Sequence, residues 1–302
     1  METRRLDFLV ELARYGSMRA VAERRNTTTS NVSQQIANLS RQVQTPLVEP
    51  HGRRIRLTPA GRRLADHAVG ILAAVDAAQT DLDPAAEPSG VIRVAGFATA
   101  IRHVLLPTAA EIAHTHPSVE LMIAEHEPAE AVDLLLLHRT DIALTYDYNL
   151  APIQIDQTVA AQPLWTTPWS LGVPDGTAPP SSQDDAASVL RRFRHHGWIG
   201  NSRNTADEQV LRTLAAMADF TLKVTHRADS LDLVEDLISA GLGIGLLPAD
   251  RKTPPSVRLL PLTNPPVLLR AALLNRRGQQ TWPPLALLRN RITANSVKGG
   301  GA

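Results

Sequence analysis

The sequence contains no cysteine, which excludes disulfide bonds and thiolate metal sites. Long hydrophobic runs are also missing: the longest uncharged apolar stretch, residues 237–249, contains three glycines and is too short to cross a bilayer. The first residues, METRRLDFLVELARYG, place charges between their apolar positions and lack the apolar core of a secretory signal. These absences predict a cytoplasmic protein without a membrane partner.

Motifs of common enzyme classes are absent as well, since the sequence has no G-x-S-x-G, H-E-x-x-H or Walker phosphate loop. The glycines of residues 241–245 end a helical pattern and enter a strand-like run, the reverse of a phosphate loop, and so predict a helix C-cap and a packing turn. The pairs His114, His116 and His195, His196 lie in polar segments and are interpreted as exposed side chains. We therefore expect no enzyme activity, no metal and no cofactor.

The 302 residues are enough for two or three domains, and their charge is unevenly distributed. Residues 1–63 contain twelve Arg and five Asp or Glu, a local charge of +7, whereas the remainder has 19 basic and 25 acidic residues. This asymmetry favours a polyanion-binding N-terminal segment over a chain that is uniformly rich in arginine.

The first forty residues show three helical patterns. Apolar residues recur at helical spacing from Leu6 and stop at Gly16, and MRAVAERR predicts a second short helix. Thr28 is predicted to cap a third helix, whose apolar face carries Val32 and Ile36.

The other face of this third helix is small and polar, as a helix that approaches base edges in the major groove must be. With Thr28, its candidate DNA-binding residues are Thr29, Ser30, Ser33, Gln34 and Asn38. A helix-turn-helix is one interpretation. An ordinary three-helix core with a solvated polar face is the other.

The segment LVEPHGRRIRLT favours the first interpretation. It predicts two short strands around Gly52, with Arg53, Arg54 and Arg56 at the tip and in the second strand. A basic hairpin of this kind is a wing, whose guanidinium groups can bind phosphates and enter the minor groove. Binding through these arginines should weaken steeply with salt.

Together these segments resemble the N-terminal winged helix-turn-helix of LysR-type transcriptional regulators over about sixty residues. The matching positions are Leu6, Phe8, Gly16, Ser17, Ala22, Ser33, Ile36, Leu39, Leu57, Thr58 and Gly61. Three positions depart from the family pattern: Arg25 and Thr27 stand where the family buries an aliphatic residue, and Pro50 replaces an arginine. The departures predict a less stable domain with fewer phosphate contacts at position 50.

A long helix is predicted after Pro59, because Thr58 and Pro59 form a good N-cap and first turn. Its apolar residues alternate in steps of four and three, which indicates a dimerisation seam: Leu64, Ala68, Ile71, Val75, Ala78 and Leu82. A lone helix packed on its own domain would show the same pattern. The resemblance implies pairing, which joins two DNA-binding heads in a homodimer or homotetramer and requires a DNA site with matching half-sites.

From residue 91 onward, strand-like runs alternate with helical ones, which predicts an α/β body with mostly parallel sheets. Strands are predicted at VIRVAGFA, VELMIAEHE, DIALTYDY, WSLGVP, TLKVTHRA, GIGLLPA, VRLLPL and VLLRAALLN. Helices are predicted near 100–115, 128–139, 183–195, 204–218, 230–242 and 279–294. The order resembles the two-lobed LysR-type effector domain, which shares its architecture with type 2 periplasmic-binding proteins.

The predicted organisation has five parts: a winged helix-turn-helix domain at 1–58, an α-helical linker at 59–83, a hinge at 84–90, an effector-binding domain at 91–295 and a flexible tail at 296–302. Lobe one would comprise 91–161 and 266–295, and lobe two 162–265. Crossovers near 151–163 and 262–266 would form the hinge between the lobes.

Effectors of such folds bind at strand ends and helix N-termini in a cleft. The candidate residues there are Thr99, Ala100, Tyr146, Asn201, Ser202, Arg203, Asp229 and Ser230. Arg203 could pair with a carboxylate and so indicates an anionic effector. The alternative for Thr99, Ser202 and Ser230 is simple helix capping.

The sequence thus predicts a transcriptional regulator that binds double-stranded DNA at an interrupted dyad, responds to a small-molecule effector and contacts RNA polymerase. The alternative is a two-lobed solute-binding protein or enzyme with the same body. A solute receptor would need an export signal and an enzyme would need a convergent acid, base or nucleophile. Neither explains the arginine-rich head.

Overall fold

The computed structural model describes residues 2–51, 54–81, 87–181, 184–203 and 206–299. The helices are α1 Thr3–Tyr15, α2 Met18–Arg24, α3 Thr29–Gln42, α4 Pro59–Asp81, α5 Ala98–Ala100, α6 Leu106–Thr115, α7 Pro128–Leu136, α8 Ala186–Arg191, α9 Ala206–Met217, α10 Leu231–Ser239 and α11 Pro283–Gly299. A π-helical turn, Ile101–Leu105, joins α5 to α6. The strands are β1 Val48–His51, β2 Arg54–Leu57, β3 Gly90–Gly96, β4 Val119–Glu125, β5 Ile142–Tyr148, β6 Val159–Pro174, β7 Trp198–Gly200, β8 Val224–Arg227, β9 Gly245–Pro248, β10 Val257–Pro261 and β11 Val267–Arg276.

Local signals define the three N-terminal helices. Gly16 ends α1 in the left-handed conformation that glycine adopts freely, with φ of 68°. The Ser17 hydroxyl accepts a hydrogen bond from the amide of Ala20 at 3.1 Å, and that of Thr28 accepts from Asn31 at 3.1 Å. The predicted Thr28 cap is therefore confirmed. Beneath these helices lies a core that includes Val32, Ile36 and Leu39 of α3, all fully buried.

Arg25 and Thr27, which replace aliphatic residues of the family pattern, have polar partners here. The Arg25 guanidinium lies 2.5 Å from Asp7 and 2.8 Å from Glu11, and it stacks over the ring of Phe8 at 5.1 Å. The Thr27 hydroxyl accepts a hydrogen bond from the side-chain amide of Asn31 at 2.8 Å. The charge of Arg25 is thereby neutralised while its stem covers apolar surface, which offsets part of the lost packing. The lower stability of the domain stays a prediction.

The wing and α4 meet at a tight junction. Strands β1 and β2 pair antiparallel, as predicted, and Pro50 lies opposite Ile55. The Thr58 hydroxyl accepts from the amide of Gly61 at 3.0 Å, which confirms the predicted N-cap. A Cβ at position 61 would lie only 2.0 Å from the carbonyl oxygen of Leu47, so the close approach of α4 to the wing requires glycine there.

The C-terminal body contains a seven-stranded sheet with the order β10-β6-β11-β5-β3-β4, and β9 also pairs with β6. The predicted mostly parallel sheet is wrong. Only the pairs β3–β4 and β3–β5 of this sheet are parallel, whereas β10–β6, β6–β9, β11–β6 and β11–β5 are antiparallel. Strand–helix alternation indicates parallel pairing between successive strands, but β6 and β11 cross between the lobes and return in the opposite direction.

The predicted crossover at 151–163 overlaps the start of β6, which runs without a break from Val159 to Pro174. Its first half pairs with β11, and its second half pairs with β9 and β10. Pro163 suggested a linker, but the ladder accommodates this proline with a shift of register that leaves Leu164 unpaired. The second predicted crossover, 262–266, is the connection from β10 to β11.

Several boundaries differ from the sequence-based ones. The last helix spans 283–299 rather than 279–294, so the first part of the predicted flexible tail is helical and Ser296 is buried. Strand β7 was not predicted, because three residues are too few to show alternation. In the predicted hinge 84–90, residues 84–86 lie outside the described ranges, and Gly90 begins β3. The glycines at 241–245 confirm the predicted turn, since Gly241 has a φ of 71° just after α10.

Candidate DNA-binding face and effector cleft

The polar face of α3 is open to solvent. Thr28, Thr29, Ser30, Ser33 and Gln34 are exposed, and Asn38 is half-buried. Within the described residues the hydroxyls of Ser30 and Ser33 have no hydrogen-bond partner, so they remain free to donate to or accept from base edges. Towards the end of the helix Gln34 donates to Asn38 at 3.0 Å, which orders both side chains.

Two arginines beside this face were not predicted as site residues. Arg5 at the start of α1 and Arg41 near the end of α3 line one shallow depression together with Gln34, Asn38 and Gln42. The positive charge of residues 1–63 was a signal for such residues, but their position beside α3 depends on the packing of α1 against α3. They add positive charge beside the polar face of α3.

The wing arginines are only partly described. Arg53 lies outside the described residues, and Arg54 is described only through its backbone, which pairs with His51. The Arg56 guanidinium pairs with Glu49 across the hairpin at 2.7 Å. Because this pair is exposed, it costs little to exchange Glu49 for a phosphate.

The predicted seam of α4 divides into two parts. Leu64 and Ala68 pack into the core of the N-terminal domain, as the lone-helix alternative requires. Further along, Ile71 is 38% exposed, Val75 is half-buried and Ala78 is exposed. Leu82 lies outside the described residues. The second part of the seam is thus an apolar surface available to a partner helix.

In the C-terminal body, charged residues of both lobes meet around Arg203, which follows β7. Lobe one contributes Glu125 at the end of β4 and Glu127 and Glu130 at the start of α7, whose oxygens lie 3.5, 3.7 and 3.9 Å from the Arg203 guanidinium. Lobe two contributes Asp229, 3.2 Å from Nε. Arg203 is therefore already paired with four protein carboxylates. Its predicted role was to bind a carboxylate of the effector.

The loop that carries Arg203 is held by Asp229. The amides of Ser202 and Arg203 donate to Asp229 Oδ1 at 2.8 and 3.2 Å, and the Ser202 hydroxyl also bonds to this carboxylate. Burial alone would raise the pKa of Asp229, but these hydrogen bonds and the charge of Arg203 lower it overall. Asn201 accepts from the Arg203 amide at 2.9 Å. Three predicted effector residues thus belong to one preformed loop.

A second contact joins the lobes beneath Arg203. The hydroxyl of Tyr148 in β5 donates to Asp207 of α9 at 2.8 Å. Burial raises the pKa of Asp207 to about 6, against the opposing effect of hydrogen bonds from Tyr148 and Asn201. Burial, together with the charge of Asp207, also raises the pKa of Glu127 to about 7 although Arg203 lowers it. Near neutral pH this cleft contains carboxyl groups that titrate.

Aromatic residues form one wall of the cleft. Tyr146, a predicted site residue, lies 3.5 Å from Glu127 through its hydroxyl and packs edge-on against Phe97 at 4.8 Å. Trp165 lies beside Phe97 at 6.2 Å, and Trp169 packs against Tyr148 at 5.7 Å. These rings connect directly to the two buried carboxylates.

The remaining predicted effector residues are placed less favourably. Ala100 is fully buried in the main core, and Thr99 is exposed on the first helical turn after β3. The capping alternative is wrong for Thr99 and Ser202, whereas Ser230 does hold the N-cap position of α10. Phe97 rather than Thr99 holds the N-cap position, Ser230 caps α10 without a side-chain hydrogen bond, and Ser202 bonds to Asp229.

Apart from Asp229, the acidic residues of the cleft were not predicted from the sequence. Glu125, Glu127 and Glu130 follow a strand as EHEPAE, and this acidic cluster at a strand end was an available signal. Asp207 gave none, because an acidic residue in the first turn of a helix is ordinary. Across the described ranges, no helix is long and apolar enough to cross a membrane.

Family models cover almost the whole chain. The model described as bacterial regulatory helix-turn-helix protein, lysR family, matches residues 3–62, and the LysR substrate binding domain matches residues 85–296. The chain belongs to the LysR family of transcriptional regulators. This LysR-type regulator binds DNA through its N-terminal domain and is modulated by a small-molecule effector that binds its C-terminal domain. The predicted family, fold class and function are confirmed.

Individual relatives are distant but full-length. The transcriptional dual regulator GltC of Bacillus subtilis is 24% identical over 289 residues, which cover 94% of this chain and 93% of that protein. The nitrogen assimilation regulatory protein nac of Escherichia coli is 25% identical over 82% of this chain and 78% of its own length. A full-length OxyR variant from Pseudomonas aeruginosa matches the fold with a TM-score of 0.69 at 18% identity, over 97% of this chain and 94% of that chain.

Proposed function

We propose that this regulator reads its DNA site with the exposed polar face of α3 and anchors it with the arginines of the wing. The observation that carries the proposal is the division of α3 into a fully buried apolar face and an exposed polar face beside a cationic hairpin. A solved structure of CbnR complexed with its target DNA has the same fold, with a TM-score of 0.51 at 18% identity over 98% of this chain and all of that one. Duplex DNA from upstream of the gene, titrated at several salt concentrations, tests the proposal.

Arg54→Ala is expected to weaken binding to all DNA sequences and to reduce the slope of log affinity against log salt by about one, because one phosphate contact is lost. Arg56→Ala should have a smaller effect, since Glu49 already pairs with that side chain. Ser33→Ala and Gln34→Ala should instead reduce the preference for the specific site over random DNA. Fluorescence anisotropy with both kinds of duplex measures these quantities.

The matched control for the arginine variants is Arg194→Ala, an exposed arginine in the C-terminal body. It removes the same charge far from the head and should leave the salt slope unchanged. An unaltered slope for Arg54→Ala would contradict the assignment of the wing. Equal losses on specific and random DNA for Ser33→Ala would contradict the assignment of α3.

We further propose that two chains pair through the second part of the α4 seam and so present two heads to an interrupted dyad, as a homodimer or homotetramer. Ile71→Asp is expected to raise the dissociation constant of the dimer at least tenfold, because a charge would be buried between apolar surfaces. Analytical ultracentrifugation across a concentration series measures this change. Arg63→Asp, exposed on the same helix, introduces the same side chain away from the seam and should leave association intact.

Regulation then follows from the two lobes. An effector that binds one arrangement of the lobes better than another shifts the population towards that arrangement, and equal affinity for both would change nothing. We propose that the shift alters the spacing of the heads and their contact with RNA polymerase. The protein acts in this scheme as a cytoplasmic regulator rather than an enzyme, and it needs no cofactor beyond the effector.

A further inference from the structure

The charge of the effector cleft is strongly negative. Five carboxylates from both lobes lie in one connected cluster: Glu125, Glu127, Glu130, Asp207 and Asp229. In the part of the chain that the structure describes, the cations that pair with them are Arg203 and, when protonated, His126, which lies 3.4 Å from Glu130. An anionic effector would have to approach Arg203 against four nearer carboxylates.

Arg203 itself shows what this cleft accommodates. Its guanidinium extends from lobe two and has carboxylate oxygens of lobe one within 3.9 Å on one side and Asp229 on the other. The side chain is nevertheless 41% exposed, and apart from Asp229 the carboxylate oxygens stand at 3.5 Å or more. Such long, partly solvated pairs are weak, so a free cation can compete with the tethered one.

A second observation concerns a buried donor whose ring packs on Tyr148. Trp169 is only 8% exposed, and its indole Nε1 is buried without a hydrogen-bond partner among the described residues. Its ring packs on Tyr148, whose hydroxyl donates to Asp207. An orphaned buried donor costs free energy unless an acceptor reaches it. The aromatic rings of Phe97 and Tyr146, next to Glu127, add faces that attract organic cations.

We propose that the effector of this regulator is a small organic cation, an ammonium or guanidinium compound that also carries a hydrogen-bond acceptor. It binds among the carboxylates of the cleft by displacing Arg203, with its acceptor towards Trp169. The inference rests on the proposed function, since it names the chemistry of the effector that the same cleft receives. Arg203 is then a tethered occupant of the site rather than a ligand for the effector.

A metal ion fits the cleft less well. Among the described residues no three His, Asp or Glu side chains are arranged to coordinate one ion. The aromatic wall suits an organic cation, because ring faces attract such a cation but offer no oxygen ligand to a hard metal ion. Release of Arg203 from Glu125 and Glu130 would remove a contact between the lobes, which gives the effector a direct means of changing their arrangement.

Isothermal titration calorimetry and thermal shift on the full chain test the proposal with 4-aminobutan-1-ol, a cation that carries an acceptor, and with putrescine and agmatine, which carry cationic groups alone. Succinate and glutarate serve as anionic probes, and magnesium chloride as the inorganic one. We expect at least one organic cation to bind and raise Tm, and no effect of the anions. Binding of a dicarboxylate without any cation, or no response to the cations at millimolar concentration, would overturn the proposal.

The decisive variant is Arg203→Ala, because its effect on effector affinity has opposite signs for a cationic and an anionic effector. If Arg203 is a tethered competitor, its removal should tighten cation binding about tenfold, equivalent to about 1.4 kcal/mol. If Arg203 binds an anionic effector, its removal should abolish binding, which would refute the proposal. Glu127→Gln should weaken cation binding at least tenfold, whereas Glu120→Gln, exposed on β4, is the matched control and should not. Arg203→Gln replaces the alanine variant if that variant does not fold.

DNA binding is measured on the same preparations to separate this inference from the proposed function. Loss of salt-dependent DNA binding in the unmodified chain would refute the role of the N-terminal domain, whatever the cleft binds. Intact DNA binding with a cleft that selects anions would refute only the cationic effector.

Discussion

Replacing Gly61 by alanine is expected to unfold the N-terminal domain at low denaturant while the C-terminal body stays folded. The new Cβ would lie 2.0 Å from the Leu47 carbonyl oxygen and 2.9 Å from its carbon. Both are backbone atoms that cannot rotate away. The wing and α4 must separate, which breaks the Thr58 cap, and a cost of about 3 kcal/mol or more is expected.

The distribution of tryptophan makes this effect measurable in the intact protein. All four tryptophans, at 165, 169, 198 and 282, lie in the C-terminal body, so their fluorescence follows that body alone. Far-UV circular dichroism also follows α1–α4. Gly61→Ala should lose helical signal before the fluorescence changes, and DNA binding with it. Asp66→Ala, exposed on the same helix, should show neither effect. Coincident transitions for Gly61→Ala would contradict the close approach of α4 to the wing.

The N-terminal domain could be predicted because its signals are local. The Thr28 cap acts over three residues, Gly16 ends its own helix, and the buried residues of α3 recur within one helix. Even here the partners of Arg25 were missed. Glu11 precedes it by 14 positions on another helix, and only the packing of α1 brings the two together.

The sequence predicts a position for the effector cleft but not the charges that surround it. The residues of the loop at 201–203 were predicted as a group from their position before a helix, and the structure places them in one loop held by Asp229. Among the acidic partners of Arg203, Asp229 was a predicted residue but those of the other lobe were not, since Glu125 lies 78 positions away and meets Arg203 only through the tertiary fold. A lone arginine in a cleft suggests an anionic ligand, and the fold adds four protein carboxylates that already pair with this arginine.

The prediction of mostly parallel strands was wrong for a related reason. Alternating strands and helices predict parallel neighbours, which holds for β3, β4 and β5. The chain passes from one lobe to the other along β6 and β11. These two strands pair antiparallel over ten residues of β11. No periodicity within either strand distinguishes a crossing strand from one that stays in its lobe.

Glu127→Gln should change the pH dependence of stability in a definite direction. Burial holds the pKa of Glu127 at about 7 in the folded protein, above the ordinary value of 4.5. The folded state therefore binds more protons than the unfolded state between these values. The stability that Glu127 contributes is fully present below pH 4.5 and is lost as pH rises through 7.

Glutamine keeps the shape of the side chain and cannot ionise. Relative to the unmodified protein, Glu127→Gln should therefore gain stability as the pH rises from 5 to 8, by about 2 kcal/mol after allowance for solvent near the cleft. Urea denaturation followed by tryptophan fluorescence at a series of pH values measures the difference for the C-terminal body. Asp207, whose pKa is raised to about 6, is present in both proteins. Its ionisation should therefore lower the stability of both between pH 4 and 6.

Glu120→Gln provides the comparison, because it makes the same chemical change at an exposed position of β4 and should follow the unmodified curve at every pH. A constant offset between Glu127→Gln and the unmodified protein would mean that Glu127 stays ionised throughout, held by Arg203 at 3.7 Å. A widening difference above pH 6 would mean instead that the cleft ionises Glu127 at the expense of its own stability. A cation bound there would then recover that loss, so effector binding and proton release would be coupled at this one carboxylate.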